Sequence, residues 1–183
     1  MLADAGGVMP RKAALSAIAH LEQADRSALH ALRVRLGPLD VFIGTLLKPA
    51  AQHWRAALLA VKQGQTMPAL PAAGAATLTA EANPRGAALA YRRLGNSWIR
   101  IDLADRLASH ARKVRSAGGD DPVDRDLATS IGLSEDALAK LMSDIGFAKA
   151  GDAWRWRGRR GHRPDRAPSR SHAFAELAKL KKT

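Results

Sequence analysis

Near its C-terminal end the sequence changes its hydrophobic period once, at Gly146. From Asp124 to Ile145 apolar residues recur at helical spacing, whereas Ala153-Trp154-Arg155-Trp156-Arg157 alternates strictly, the signature of a strand. Within the helical part, Ala128 and Gly132 meet the needs of a helix-turn-helix. The small side chain lets two helices approach, and the glycine takes a turn at positive φ that a β-carbon would strain. The spacing predicts helices over Asp124–Ser130 and from the capping residue Ser134 to Ile145, with Leu127, Ile131, Leu133, Leu138 and Leu141 facing a shared core. After Gly146, Phe147-Ala148-Lys149, a turn at Ala150-Gly151-Asp152 and the alternating segment predict a hairpin.

Upstream, Tyr91–Leu94 and Ser97–Ile101 flank Gly95-Asn96, a hairpin dipeptide. Asp102 is placed to cap a helix through Leu103, Leu107 and Val114, with Gly118-Gly119 as its stop. The order strand, helix, helix, helix, hairpin is that of a winged helix, and residues 91–160 are therefore predicted to form a winged-helix-like domain. Residues 1–66 read as a helical unit. A helix starts at Pro10 and carries Leu15, Ile18, Ala19 and Leu21, a second spans Asp25–Leu32, and Gly37-Pro38 breaks the chain before an apolar run to Leu47. A third helix starts at Pro49, with Trp54, Leu58 and Val61 as its stripe, Leu59 beside them and Gly64 at its end.

Residues 67–90, rich in Pro and Ala, read as a linker, with a short edge strand around Leu78 and a helical turn at Ala87–Tyr91. Residues 161–183 read as a basic tail ending in a short helix, where Phe174, Leu177 and Leu180 lie on one side and dock back on the chain. The expected fold class is mainly α with small β-hairpins, an α+β arrangement. Aromatic residues make up only 4% of the chain, which excludes an all-β sandwich.

Lys and Arg number 29 against 17 Asp and Glu, a net charge of +12, and such an excess points to a polyanion. Nucleic acid fits better than a membrane. Between Arg155 and Arg170 there are seven arginines against the single acid Asp165. Alternation puts Trp154 and Trp156 on one face of the hairpin and Arg155 and Arg157 on the other, so the tryptophans pack while the arginines face a partner. The second helix of the helix-turn-helix carries Glu135, Asp136 and Asp144 against Lys140 and repels phosphate, so the wing, not this helix, is the expected contact. The candidate nucleic-acid-binding set is Lys149, Arg155, Arg157, Arg159, Arg160 and Arg163, contacting DNA or RNA through the backbone without regard to sequence.

No cysteine is present, and none of the six histidines stands at metal-ligand spacing. The chain has no G-x-x-x-x-G-K-[ST], no G-x-S-x-G and no H-E-x-x-H, so no catalytic residue, cofactor or metal is expected. No apolar run approaches the roughly 18 residues of a membrane span, and the start MLADAGGVMPRK lacks the order of a secretory signal, so a soluble, cytoplasmic protein is expected.

Several segments resemble one family. They are Arg35-Leu36-Gly37-Pro38-Leu39-Asp40-Val41-Phe42, Leu46-Leu47-Lys48-Pro49-Ala50, Trp54-Arg55-Ala56-Ala57-Leu58, Ile99-Arg100-Ile101-Asp102-Leu103, Gly146-Phe147, Trp154-Arg155-Trp156-Arg157-Gly158-Arg159-Arg160 and Phe174-Ala175-Glu176-Leu177. In this order they resemble the region after the motor in bacterial DExH-box helicases of superfamily two related to the mitochondrial RNA helicase. Both ATPase lobes of that family are missing here. The resemblance implies an accessory nucleic-acid-handling segment, or a module that docks onto a separately encoded helicase motor. With no glycine loop and no lysine to hold β- and γ-phosphates, the purified chain is expected not to hydrolyse ATP. Turnover stimulated by nucleic acid, and absent from mock purifications, would overturn that expectation.

Overall fold

The computed structural model describes residues 1–158, and the fold is mixed α/β, helices packed with small antiparallel sheets. Its first part departs from an all-helical unit. Strands β1 (Val8–Pro10), β2 (Val34–Leu36) and β3 (Asp40–Ile43) form an antiparallel sheet in the order β1-β3-β2, with Met9 and Leu36 flanking Val41. The expected helix at Pro10 is a 3-10 turn over Arg11–Ala14 followed by the short α1 (Leu15–Ala19). Helix α2 (Gln23–Ala31) opens with a reciprocal cap between Glu22 and Asp25. Arg33, at φ 61°, then turns the chain into β2. Segments of three or four residues are too short to show a period, so Val34-Arg35-Leu36 and Val41-Phe42-Ile43 carry no clear helix-or-strand signal, and their pairing across Gly37-Pro38 decides the matter.

Helix α3 (Pro49–Gln63) begins and ends where expected, with Pro49 in its first turn and Gly64 at φ 61° beyond its end. Its orientation is the reverse of the amphipathic expectation. Trp54, Leu58 and Val61 face solvent, at 72%, 67% and 82% exposure, and the packed side is Gln52, Arg55, Ala56 and Ala60. Small alanines allow close approach there. Gln52 donates to the Leu47 carbonyl at 2.6 Å, and Arg55 Nη1 donates to the carbonyls of Leu46 and Leu89 at 3.1 and 2.8 Å. The helix is thus seated by hydrogen bonds to carbonyls that the neighbouring turns leave free.

Residues 67–90, expected as a linker, contribute β4 (Thr77–Thr79) and α4 (Pro84–Ala87) to the body. With β5 (Tyr91–Leu94) and β6 (Ser97–Arg100), β4 forms a second sheet in the order β4-β6-β5, so the short strand at Leu78 is an edge strand. Gly95, at φ 60°, closes the two-residue turn between β5 and β6. Gly86 lies so close to the Ala69 carbonyl that a β-carbon would collide with it.

Strand β6 runs without a loop into α5 (Ile101–Ser116), so its N-cap is Arg100 and not Asp102. Asp102 lies in the first turn, where the helix dipole favours an acid, and accepts from Arg100 Nε at 2.7 Å. Helices α6 (Arg125–Ser130) and α7 (Glu135–Ile145) are capped by Asp124 and Ser134, which accept from the backbone N–H groups of Leu127 and Ala137. Gly132 turns between them at φ 64°. Strands β7 (Phe147–Ala150) and β8 (Ala153–Trp156) close on each other as a separate two-stranded sheet. The largest core joins Ile99 and Leu94 of the second sheet, Leu107 of α5, Leu141 and Ile145 of α7, and Phe147, with Leu39 of the β2–β3 turn reaching into it.

Polar groups tie the parts together. Arg92 on β5 donates through Nη1 to Asp40 of β3 at 2.9 and 3.1 Å and through Nη2 to Asp144 of α7 at 2.9 Å, and Asp144 also accepts from Lys140 at 2.6 Å. Asp40 is 8% and Arg92 21% exposed at their side chains. Burial pushes the Asp40 carboxyl up; Arg92 opposes that, while Asp105 and Asp144 add to it. Burial also works against the charge of Arg92, but the two acids outweigh it and hold the guanidinium above its usual value. Arg35 of β2 meets the buried Asp105 of α5 at 3.0 Å, and a β-carbon at Gly37 would run into that carboxylate and into the Asp40 carbonyl.

Arg92→Met leaves Asp40 buried without its cation and is expected to cost about 3 kcal/mol or more at neutral pH. Protonation relieves an unpaired buried carboxylate, whose folded pKa then lies well above its unfolded one. The deficit should therefore shrink as pH falls from neutral toward the ordinary carboxylate value of 3.8. Denaturation of wild type and variant across that range checks both the size and the sign.

Candidate nucleic-acid interface

The hairpin leaves α7 through Gly146, whose φ of 119° ends the helix and whose carbonyl accepts from the Arg157 N–H at 2.9 Å, closing the base of the β7–β8 pair. Phe147 stands opposite Trp156, Ala148 opposite Arg155 and Lys149 opposite Trp154. Because side chains alternate along each strand, these pairs divide the hairpin into two faces. Trp154 and Trp156 are half-buried against the main core, as the alternation requires, and Arg155 and Arg157 are exposed.

Trp156 is held from two sides of the fold. It meets Phe147 edge to face, with centroids 5.1 Å apart and planes at 76°, and the Arg115 guanidinium of α5 lies 3.8 Å from its ring centre. Arg115 follows Ala104, Ala108 and Ala111 at helical spacing, and these three alanines are buried. Arg115 thus shares a helical face with these alanines and delivers a charge to the root of the hairpin.

Of the expected binding set, the structure brings together Arg155 and Arg157. Lys149 is exposed but stands on the tryptophan face, across from Trp154, and does not join the two arginines. The period of two fixes this, since position 149 shares its face with 147 and opposes 154. Arg159, Arg160 and Arg163 lie outside the described residues, as does the expected helix with Phe174, Leu177 and Leu180. Arg115 was not in the expected set. The signal for it was the alanine stripe of α5 ending in an arginine, legible only once the hairpin is known to pack there.

On α7, Glu135 and Asp136 are exposed in the first turn, as read from the sequence. Asp144 is not a free acid, being held by Arg92 and Lys140. The unbalanced negative charge of this helix is therefore confined to its N-terminal turn, away from the end that leads into the hairpin. Among the described residues, no group of three or more His, Asp or Glu is placed to hold a metal ion, and no helix is long and apolar enough to cross a membrane. No protein-family model, curated protein or solved structure matches this chain.

Trp156→Ala removes the ring that Phe147 and Arg115 grip, at a half-buried position. It is expected to cost about 2 kcal/mol, below the usual range for a fully buried tryptophan. Equilibrium unfolding in urea measures the loss, and an unchanged midpoint would show that the hairpin is not anchored through this ring.

Proposed function

We propose that the chain is a non-catalytic nucleic-acid-binding module in which α5, α6, α7 and the β7–β8 hairpin act as a winged helix, with the hairpin as the wing. The observation that carries this reading is the division of the hairpin: both tryptophans are turned into the core, and Arg155 and Arg157 are left exposed on the opposite face. A rigid platform presenting guanidinium groups suits phosphate, which they meet bidentately. The net charge of +12 and the arginines that follow position 157 add sequence-independent attraction. The exposed acids Glu135 and Asp136 on α7 argue against base reading by that helix. Contact with DNA or RNA runs along the backbone, in the cytoplasm, and the resemblance to the region after the motor of DExH-box helicases supports an accessory role beside such a motor.

One observation favours a second reading, a module that docks onto a separately encoded helicase motor. Trp54, Leu58 and Val61 are exposed at successive turns along one side of α3, and such an outward apolar stripe suits a protein partner.

The two readings use different surfaces. Replacing Arg155, Arg157, Arg159 and Arg160 by Ala should weaken binding of a labelled oligonucleotide. The log–log salt slope should fall by about 0.7 to 0.9 for each phosphate that is no longer neutralised. Glu135→Ala with Asp136→Ala should leave binding unchanged or strengthen it. Fluorescence anisotropy at two salt concentrations reads both, and a wild-type chain that binds no oligonucleotide at low salt would overturn the nucleic-acid reading in favour of the docking one.

A further inference from the structure

Away from the hairpin, a cavity of about 500 Å³ opens between α2, the β2–β3 turn and α5. Arg26 and His30 come to it from α2, Arg35 and Gly37 from β2 and the turn, and Ser109 and Arg112 from α5. Behind its wall Arg11 Nη1 donates to the carbonyls of Leu36 and Gly37 at 3.1 and 3.0 Å. Guanidinium groups from three segments of the chain therefore line one small space, with that of Arg11 behind it.

Their charges are poorly balanced. Arg35 has Asp105, but Arg26 donates to a neutral carbonyl, that of Ile18 at 3.2 Å, and the Arg112 guanidinium makes no hydrogen bond or ion pair among the described residues. Burial first, and then the nearby charges of Arg112 and Arg26, hold Arg11 below the usual arginine value. Like charges kept this close repel one another, and an anion among them removes that cost. Among the described residues, Asp105 is the one acid in the wall. Its Oδ2 is taken by Arg35, and its Oδ1 is buried against Gly37 and not open to the cavity.

We propose that this cavity is a binding site for a phosphate group, held by Arg26 and Arg112 with the Ser109 hydroxyl as a further donor. A planar guanidinium presents paired N–H groups that match phosphate oxygens, and several of them from different directions suit a tetrahedral anion better than a flat carboxylate. Position ties the cavity to the wing. Arg112 and Arg115 are neighbours one turn apart on α5, and Arg115 lies over Trp156 at the root of the hairpin. For a strand on the wing to reach the cavity, it would have to run from the root of the hairpin one further turn along α5. That a strand supplies the phosphate rests on the function proposed above, whereas the phosphate chemistry does not.

The test uses the full chain and the double variant Arg26→Gln, Arg112→Gln, whose native side chains take part in no ion pair among the described residues. Arg112→Gln alone serves if the double variant melts early. In the first arm, inorganic phosphate is titrated at constant ionic strength against chloride in the low millimolar range, and the thermal midpoint is followed. Wild type should be stabilised by phosphate; Arg112→Gln alone should need about tenfold more for the same shift and the double variant about a hundredfold more, as expected when one and two charge-assisted hydrogen bonds are removed. In the second arm, oligonucleotide anisotropy should give the variant a salt slope lower by about 0.7 to 0.9.

A wild-type midpoint that phosphate moves no more than chloride does, or a variant that responds equally, overturns the site. A phosphate response abolished in the variant with an unchanged oligonucleotide slope supports a site for free phosphate and overturns the strand as its source. If wild type binds no oligonucleotide but responds to phosphate through Arg112, the nucleic-acid function fails and the phosphate site stands.

Discussion

Arg92 joins the two larger sheets to the helix that carries the hairpin. It rises from the second sheet, closes on Asp40 of the first sheet with one nitrogen and on Asp144 of α7 with the other. Apolar contact is non-directional and sets no angle between elements, whereas a fork of two N–H groups between two fixed carboxylates does. The orientation of α7 matters most in the proposed reading, since that helix leads straight into the hairpin. The cost of desolvating three charged groups is met by pairing them, and the return is a defined orientation for the hairpin.

Helices α6 and α7 and the turn between them were legible because each part has a local cause. Asp124 and Ser134 satisfy free N–H groups at helix starts, Gly132 supplies a positive φ, and Gly146 stops α7. None of these depends on what the rest of the chain does. The same holds for the two hairpins, whose turns begin at Gly95 and Gly151 at positive φ. The N-terminal sheet had no such local cause. Its strands are three or four residues long, two of them are brought together by a turn, and the third, β1, comes from near the start of the chain to pair with the middle one. Long-range pairing leaves no mark on the sequence near Val8.

Two sites show how a correct element can still be read on the wrong face. In α3 the apolar stripe at Trp54, Leu58 and Val61 promised burial, yet the fold buries the opposite side through Ala56, Ala60 and the hydrogen bonds of Gln52 and Arg55. Alanine contributes little to an amphipathic pattern but allows the closest packing, so a helix seated by alanines and polar side chains looks inverted. In the hairpin the strand register, which the sequence left open, separates Lys149 from Arg155 and Arg157, while Arg115 enters from a helix far away in sequence. Of the candidate interface, then, the alternation of Trp and Arg was readable, and the cross-chain support was not.

The contact between Gly37 and Asp105 has a consequence for how this chain can change over time. Any side chain at position 37 needs the space that the Asp105 carboxylate fills, and loss of Arg35 leaves that buried carboxylate without its cation. Three positions in two distant stretches are thereby locked to one another, so a lineage drifting away from this sequence would have to alter them in concert. The Gly-Pro turn and the middle of α5 should accordingly vary as a single unit of inheritance, even where the surfaces around them diverge freely.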